Sequence, residues 1–276
     1  MKMRAGIPGR AALFALTAVT ALAGCQTVQT TQPGVVGVDR KQHMLVSSEQ
    51  MDQAAADAYR KVLEGAKAKN ALNKDPAQVE RVRRVANRLM PNTGAFRADA
   101  PKWGWEVNVL ESPEVNAWCM PGGKIAVYSG LIAKVNATDD ELAAVMGHEI
   151  AHALREHSRE QASQAAAQGL VLGVLGAAAG LSDTTQQLSQ ILLDVTFNLP
   201  HSRQDETEAD RIGVELAARS GYDPHAAVTL WEKMMKLGGG QPPQMLSTHP
   251  SNEKRIEDLK VYSEKVVPLY QASSKK

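Results

Sequence analysis

Two histidines, His148 and His152, stand four residues apart in the pentapeptide HEIAH, with Glu149 beside the first of them. On a helix this spacing turns both imidazoles to one face, where they can bind one Zn²⁺ while the glutamate reaches a water molecule on the metal. A buried helix with two core histidines is the alternative, but it would bury the Glu149 carboxylate without a partner, which is costly. The pentapeptide therefore predicts a zinc centre that activates water.

The residues before the pentapeptide predict the helix that must position it. Thr138 and Glu141 form a capping box, in which the hydroxyl accepts an early backbone N–H and the carboxylate reaches back. Acidic residues also suit the positive end of the helix dipole. Apolar residues then recur at helical spacing, namely Leu142, Val145, Met146, Ile150, Ala153 and Leu154, and Arg155 and His157 follow them.

A catalytic zinc ion takes three protein ligands and leaves one position to water, so a third ligand must come from elsewhere in the chain. The extended pattern HExxHxxGxxH does not apply, because Arg155 and Ser158 stand where it has glycine and histidine. A second predicted helix ends at Gly221 and carries Glu206 and Asp210 on one face. One carboxylate can bind the metal while the other orients a histidine ligand. An ordinary acidic helix start is the alternative.

Four motifs in order resemble those of the M48 family of zinc metallopeptidases. Besides HEIAH, they are the R-x-x-E-x-E-A-D-R-x-G segment that contains Glu206, the NAWCMPGGKI segment that begins at Asn116, and the THPS segment that contains His249. The resemblance covers about residues 105–260. It implies a zincin-like domain of the α+β class, mostly helical, with a small β-sheet and one Zn²⁺ per chain. By the same resemblance, the metal ligands are His148, His152 and Glu206, the catalytic base is Glu149, and Asp210 supports a histidine ligand from behind.

The predicted chemistry is metal-assisted hydrolysis. Zinc lowers the pKa of its water, Glu149 takes the proton, and the proton then passes to the leaving amine. The oxyanion needs a further donor, for which His249, His201, Arg203 and Tyr128 are candidates. We favour His249 because it lies in the family-like THP segment, where it could also occupy the open zinc position and keep the enzyme latent. A histidine in a proline-flanked surface loop is the alternative.

A small sheet is predicted before the zinc helix. Residues from Trp103 to Val109 alternate as in a strand, and Val115 to Met120 and Lys124 to Tyr128 flank a Pro-Gly-Gly turn as in a hairpin. The tryptophans of the first strand are more typical of core packing. An edge strand near zinc can pair with an extended peptide, which favours unfolded or misassembled polypeptides as substrates. The residues predicted to bind them are Asn116, Ala117 and Trp118.

The N-terminus predicts export. Residues 1–24 resemble a lipoprotein signal peptide, because three basic residues precede the apolar stretch Ala11–Ala23 and the segment LAGC ends at Cys25 like a bacterial lipobox. By that resemblance, lipidated Cys25 anchors the protein in a membrane. Gln26 rather than aspartate follows the cysteine, which favours the outer membrane, facing the periplasm, over the inner membrane. A plain signal peptide with a coincidental cysteine is the alternative.

Composition and domain organisation agree with an exported enzyme. Without the signal, 28 basic residues stand against 30 acidic ones, so we expect no nucleic-acid partner. Residues 25–45 are predicted to form the lipidated cysteine and a flexible tether, and residues 46–276 one metallopeptidase domain without the helical-repeat array of some related proteases. Cys119 has no partner if Cys25 is lipidated, and we expect a packed thiol.

The apolar segment 169–181 is too short to span a bilayer as a helix, and buried packing, a lid and a contact surface all remain possible for it. As a whole, the sequence predicts a zinc-dependent endopeptidase of the bacterial cell envelope that cleaves misfolded or misassembled envelope proteins. The alternative is an envelope protein assembly or holding factor whose zinc site is latent or mainly structural.

Overall fold

The computed structural model describes residues 26–175, 184–237, 243–250 and 252–273, and the predicted signal peptide and Cys25 lie outside them. The described residues form a mostly helical α+β domain, as predicted. The strands are β1 (Gln26–Val28), β2 (Gln42–Met44), β3 (Glu106–Leu110), β4 (Ala117–Met120) and β5 (Lys124–Tyr128). The helices are α1 (Ser48–Ala68), α2 (Pro76–Leu89), α3 (Ser129–Lys134), α4 (Asp139–Leu154), α5 (His157–Leu175), α6 (Thr184–Phe197), α7 (Arg203–Arg219), α8 (Ala226–Lys236), α9 (Gln244–Thr248) and α10 (Glu253–Ser273).

The three-stranded sheet has the order β3-β5-β4, with β3 parallel and β4 antiparallel to the central strand β5. The predicted hairpin is therefore present, and β4 is an edge strand. Its turn requires glycine, because Gly122 and Gly123 have φ values of 72° and 81°. A β-carbon on Gly123 would also lie 2.5 Å from the ring of Trp105, which packs over the turn.

Helix α4 carries the HEIAH pentapeptide and is buried along its length from Glu141 to Leu154. The capping box holds its start: the Glu141 N–H donates to Thr138 Oγ1 at 3.2 Å, and the Thr138 N–H donates to Glu141 Oε2 at 2.9 Å. Helix α7 crosses α4 at two glycines, Gly147 and Gly213, and this crossing brings the two predicted ligand-bearing helices together.

Helix α4 does not continue through Arg155 and His157. It ends at Leu154, and Glu156 adopts the left-handed region with a φ of 54°. A new helix, α5, therefore begins at His157 in a different direction. The strained turn is held because the Glu156 carboxylate accepts hydrogen bonds from Arg97 and from Arg159.

Residues 26–44, which we call the N-terminal strap, are packed on the domain, and the structure differs here from the flexible tether expected over residues 25–45. Strands β1 and β2 pair with each other, and Val36 and Val38 are buried in the main core. The Val36 N–H donates to the buried carboxylate of Glu215 at 3.1 Å. Sequence patterning missed this segment because its partners are buried charges more than a hundred residues away.

The apolar segment 169–181 enters α5, and its residues from 176 onward lie outside the described part of the chain. None of the described helices combines the length and the hydropathy needed to cross a membrane. Cys119 is buried on β4 as a free thiol, in line with the packed thiol expected. Burial raises the pKa of this thiol well above its ordinary value, so it is held in the protonated form.

Candidate metal centre

Four buried side chains from three segments of the chain meet on one face of helix α4. They are His148 and His152 of α4, Glu206 of α7 and His249, which follows α9, and their potential ligand atoms all lie within 4.8 Å of one another. Among the described residues, this is the one such group of histidine, cysteine and carboxylate side chains. The sequence predicted the first three as metal ligands and gave His249 the open position or an oxyanion role.

The spacing of the first three ligand atoms fits a tetrahedral metal ion. The Nε2 atoms of His148 and His152 are 3.1 Å apart; the first lies 3.5 Å from Glu206 Oε2 and the second 3.4 Å from Glu206 Oε1. Tetrahedral Zn²⁺, with bonds of about 2.0–2.1 Å, separates its ligand atoms by roughly 3.3 Å. Two imidazoles and one carboxylate are also the donor set that zinc accepts at catalytic sites. The residues present therefore fit zinc.

His148 is oriented from behind by a carboxylate. Its Nδ1 atom lies 2.9 Å from Asp210 Oδ1, so the proton of the neutral ring is on Nδ1 and Nε2 faces the metal site. Burial lowers the pKa of His148, but the hydrogen bonds to Asp210 and Glu206 outweigh burial and raise the pKa to about 9. A metal ion must therefore compete with a proton for this imidazole.

Arg255 of α10 ties together the two carboxylates of α7. Its Nε atom donates to Asp210 Oδ2 at 2.5 Å, and its Nη1 atom lies 2.7 Å from Glu206 Oε2. Its guanidinium also lies over the Trp231 ring, 3.9 Å from the centroid. Burial raises the pKa of Asp210, but the charge and hydrogen bonds of Arg255 outweigh burial and hold that pKa below its ordinary value. Both carboxylates are thus kept ionised in a buried site.

Glu149 lies beside the ligand cluster and is almost fully buried. Its Oε1 atom has no hydrogen-bond partner among the described residues, and His249 Nε2 lies 3.5 Å from it. Burial raises the pKa of Glu149, and the charges of His249 and His148 oppose that shift. The raised pKa of this carboxylate lies closer to neutral pH, which suits a general base.

The segment that carries His249 is anchored on both sides of the centre. The Met245 N–H donates to Val115 O next to β4 at 3.2 Å, and the His201 N–H donates to Thr248 O at 3.0 Å. His249 Nδ1 then lies 3.2 Å from His148 Nε2 and 2.8 Å from Glu206 Oε1. His249 thus lies in direct contact with two of the predicted metal ligands.

The other oxyanion candidates lie at different distances from the centre. The His201 ring packs against the rings of His152 and His249, with centroids 4.1 and 5.1 Å apart. Arg203 is exposed at the start of α7 and lines a solvent-filled cleft that also borders Glu206. Tyr128 packs in a second apolar cluster. Of these three described residues, His201 is the one whose ring packs against members of the four-residue cluster.

The residues predicted to bind substrate all lie on or next to the edge strand β4. Asn116 is buried and its Oδ1 accepts the Ala117 N–H at 2.9 Å. The Trp118 ring is also buried and packs edge-on against Tyr59 and Phe197, at centroid distances of 5.7 and 5.6 Å. Their side chains therefore serve the core, and a role in substrate binding would fall to the backbone of the strand.

Sequence reasoning missed three side chains that support the centre: Arg255, Glu208 and His157. Arg255 lies six residues after His249 in the same segment, and His157 lies five residues after His152, so both were close to recognised motifs. Glu208 lies two residues after Glu206 in the R-x-x-E-x-E-A-D-R-x-G segment. Their spacing carried no signal, because each acts across the fold rather than along its own helix.

Known proteins resemble the chain over most of the described domain. Residues 76–263 match the protein family described as Peptidase family M48. The mitochondrial metalloendopeptidase OMA1 of Schizosaccharomyces pombe is 37% identical over 80% of this chain and 63% of its own length. The OMA1 protein of Saccharomyces cerevisiae is 36% identical over 61% of this chain and 50% of its own length. The beta-barrel assembly-enhancing protease of Escherichia coli is 29% identical over 72% of this chain and 42% of its own length.

The chain spans less than two thirds of the length of each of these relatives. The family match covers well over half of the chain and contains the three predicted metal ligands, the predicted base and His249. The chain therefore belongs to peptidase family M48, the metallopeptidase family that its motifs predicted.

Proposed function

We propose that this protein is a zinc-dependent endopeptidase whose ion is held by His148, His152 and Glu206. The observation that carries the proposal is the spacing of their ligand atoms, 3.1 to 3.5 Å, beside buried Glu149, whose Oε1 atom has no hydrogen-bond partner among the described residues. Bound zinc supplies a Lewis acid for the peptide carbonyl and lowers the pKa of an attacking water.

The protein side chains then divide the remaining work. Glu149 accepts the proton of the attacking water and returns it to the leaving amine. Asp210 Oδ1 lies 2.9 Å from His148 Nδ1 and keeps the proton on that nitrogen, and Arg255 keeps Asp210 ionised. His201 packs against His249, and either ring can donate a hydrogen bond to the developing oxyanion.

His249 also gives the centre a latent form. Its Nδ1 atom lies within 3.2 Å of two ligand atoms, on His148 and Glu206, and can fill a fourth position on the metal. Substrate cleavage would then require the segment from Gln244 to Pro250 to move. This arrangement supports a protease whose activity is restrained until a substrate or partner displaces His249.

The substrates that we propose are unfolded or misassembled polypeptides. The edge strand β4 can extend its ladder with a peptide chain, which recognises main chain rather than particular side chains. We propose misassembled proteins of the cell envelope in particular; the Escherichia coli relative is named for enhancing beta-barrel assembly, whereas the OMA1 relatives are named as mitochondrial. We further propose that Cys25 is lipidated and anchors the protein in the outer membrane of a bacterial envelope.

The same geometry suits one alternative function. If His249 never leaves, the protein would act as an assembly or holding factor whose zinc site is mainly structural. The experiment that tests the proposed site is zinc analysis of the wild type beside Glu206→Gln and the exposed control Glu257→Gln. We expect one zinc per chain in the wild type and the control and a large loss in Glu206→Gln. Wild-type protein without zinc, or Glu206→Gln with full zinc occupancy, would contradict the proposed ligand set.

A further inference from the structure

The metal ligand His152 has a buried partner on the ring nitrogen that faces away from the metal site. Its Nδ1 atom lies 2.9 Å from Nδ1 of His157, whose side chain is fully buried. A neutral imidazole carries one proton, so a metal ion on Nε2 leaves that proton on Nδ1. The Nδ1–H of His152 therefore donates to Nδ1 of His157.

The proton position on His157 can be assigned in the same way, and it leads to the carboxylate of Glu208. His157 accepts at Nδ1 and so carries its own proton on Nε2, which lies 3.3 Å from Glu208 Oε2. We call His152, His157 and Glu208 the support chain. Each group in it donates to the next, away from the metal site. His148 has a shorter version, in which Asp210 is the direct partner of the ring.

The backbone break after α4 makes this contact possible. On a continuous helix, a residue five positions ahead is rotated by about 140° around the axis, so His157 would point away from His152. The left-handed turn at Glu156, with a φ of 54°, redirects the chain. Such a conformation is strained for a residue with a side chain, and ion pairs with Arg97 and Arg159 hold it.

The far end of the support chain is fixed by two arginines. Arg155 is fully buried, and its Nε atom donates to Glu208 Oε2 at 2.8 Å. Arg40 of the N-terminal strap donates from Nε to Glu208 Oε1 at 2.5 Å and from Nη1 to Glu160 Oε1 at 2.6 Å. Arg155 in turn donates from Nη2 to the Arg40 carbonyl oxygen at 3.0 Å, which locks the strap onto the same cluster.

We propose that His157 is a positioning residue for the metal ligand His152, and that the N-terminal strap, through Arg40, fixes the Glu208 end of the support chain. The proposal rests on the zinc site proposed above. By this proposal, the N-terminal strap helps to hold a metal ligand in position. A histidine that merely fills the core would need neither the single direction of these hydrogen bonds nor the strained turn that creates them.

The experiment compares three substitutions of His157 in the full chain. Asparagine places a carbonyl oxygen where Nδ1 stands, so His157→Asn keeps an acceptor for His152. Glutamine places its amide near the Nε2 position, so His157→Gln keeps the contact with Glu208 and loses the acceptor. His157→Leu loses both. The readouts are zinc affinity by competition with a chromophoric chelator, and the absorption spectrum of the protein loaded with Co²⁺, which reports the ligand geometry.

We expect zinc affinity to fall about 10- to 100-fold in His157→Leu and His157→Gln, with an altered Co²⁺ spectrum, and His157→Asn to recover most of the affinity and the wild-type spectrum. If His157→Leu does not fold, the comparison of His157→Asn with His157→Gln decides. Wild-type affinity in both His157→Gln and His157→Leu would overturn the proposal while leaving the zinc site intact. A wild-type protein that binds no zinc would instead contradict the proposed function.

The strap is tested by Arg40→Ala against its exposed neighbour Lys41→Ala. We expect Arg40→Ala to lower zinc affinity several-fold and to change the Co²⁺ spectrum in the same direction as His157→Gln, with Lys41→Ala unchanged. Equal zinc affinities in Arg40→Ala and the wild type would overturn the role of the strap.

Discussion

Gly147 of α4 and Gly213 of α7 face each other so closely that a β-carbon on Gly147 would lie 2.9 Å from the carbonyl oxygen of Gly213. A β-carbon on Gly213 would lie 2.9 Å from the backbone nitrogen of His148. Backbone atoms cannot move aside as side-chain ends can. The close crossing therefore sets how near Glu206 and Asp210 of α7 come to the histidines of α4.

The first prediction is that Gly213→Ala disrupts both stability and metal binding. The added methyl group must push α7 away from α4, at a cost of about 1–3 kcal/mol, and zinc affinity should fall because the ligands separate. Gly169→Ala is the matched control, since a β-carbon there meets nothing within 4 Å and alanine favours a helix. Urea unfolding and zinc titration of Gly213→Ala that both match the wild type would show that the crossing does not set the site.

The second prediction concerns the buried ion pair between Arg255 and Asp210. Removing the guanidinium in Arg255→Ala leaves the Asp210 and Glu206 carboxylates buried without it, so we expect a loss of about 3–5 kcal/mol in the free energy of unfolding of the metal-free protein. Arg211→Ala is the control, because its pair with Asp258 is more exposed and should contribute about 0.2–1 kcal/mol. Equal losses in the two variants would contradict the account.

The third prediction is a dependence of stability on acid through Glu208. Burial raises the pKa of Glu208, but hydrogen bonds with His157 and Arg40 and the charge of Arg155 outweigh burial and lower the pKa to about 2, from an ordinary value of 4.5. A lowered folded-state pKa means that the stabilisation is fully present above pH 4.5 and is lost as the pH falls towards 2. The full effect is at most about 3 kcal/mol, and screening by solvent reduces it.

This dependence is measured as the difference in urea unfolding between metal-free wild type and Glu208→Gln at pH 7, 5, 4 and 3. We expect the wild type to be more stable at pH 7 and its advantage to shrink below about pH 4.5. An advantage that stays constant across these pH values would show that Glu208 is not ionised through its partners.

The local parts of the fold were predictable from the sequence. The capping box of Thr138 and the Pro-Gly-Gly hairpin depend on neighbours along the chain, and the HEIAH spacing places two imidazoles on one helix face without knowledge of the fold. Glu206 and Asp210 could be proposed because their spacing repeats on a helix. In each case the pattern carries its own geometry.

The remaining parts depend on contacts that no local pattern encodes. The strap looked like a tether because its polar residues and glycines suit a linker, yet Arg40 and Gln42 bond side chains and backbone more than a hundred residues away. The turn at Glu156 was missed because it is stabilised in part by Arg97, which lies 59 residues earlier in the chain. The parallel pairing of β3 with β5 was not predicted either, because it joins two strands that are separated in the chain by β4.

The fourth prediction separates the two roles of His249. If His249 restrains the enzyme, His249→Ala should cleave casein faster than the wild type, with somewhat weaker zinc binding because one potential ligand is lost. His225→Ala, a change of a more exposed histidine on the surface, is the control. Slower cleavage by His249→Ala at full zinc occupancy would instead assign His249 to the oxyanion.

The central claim is that Glu149 is the base of a zinc peptidase, and the most direct measurement is casein cleavage by Glu149→Gln at verified zinc content. Glutamine keeps the size of the side chain and cannot accept the proton, so we predict one zinc per chain and a loss of activity of about 10²-fold or more. The His249→Ala background supplies a measurable rate if the wild type is latent. Undiminished cleavage by Glu149→Gln with zinc bound would contradict the account.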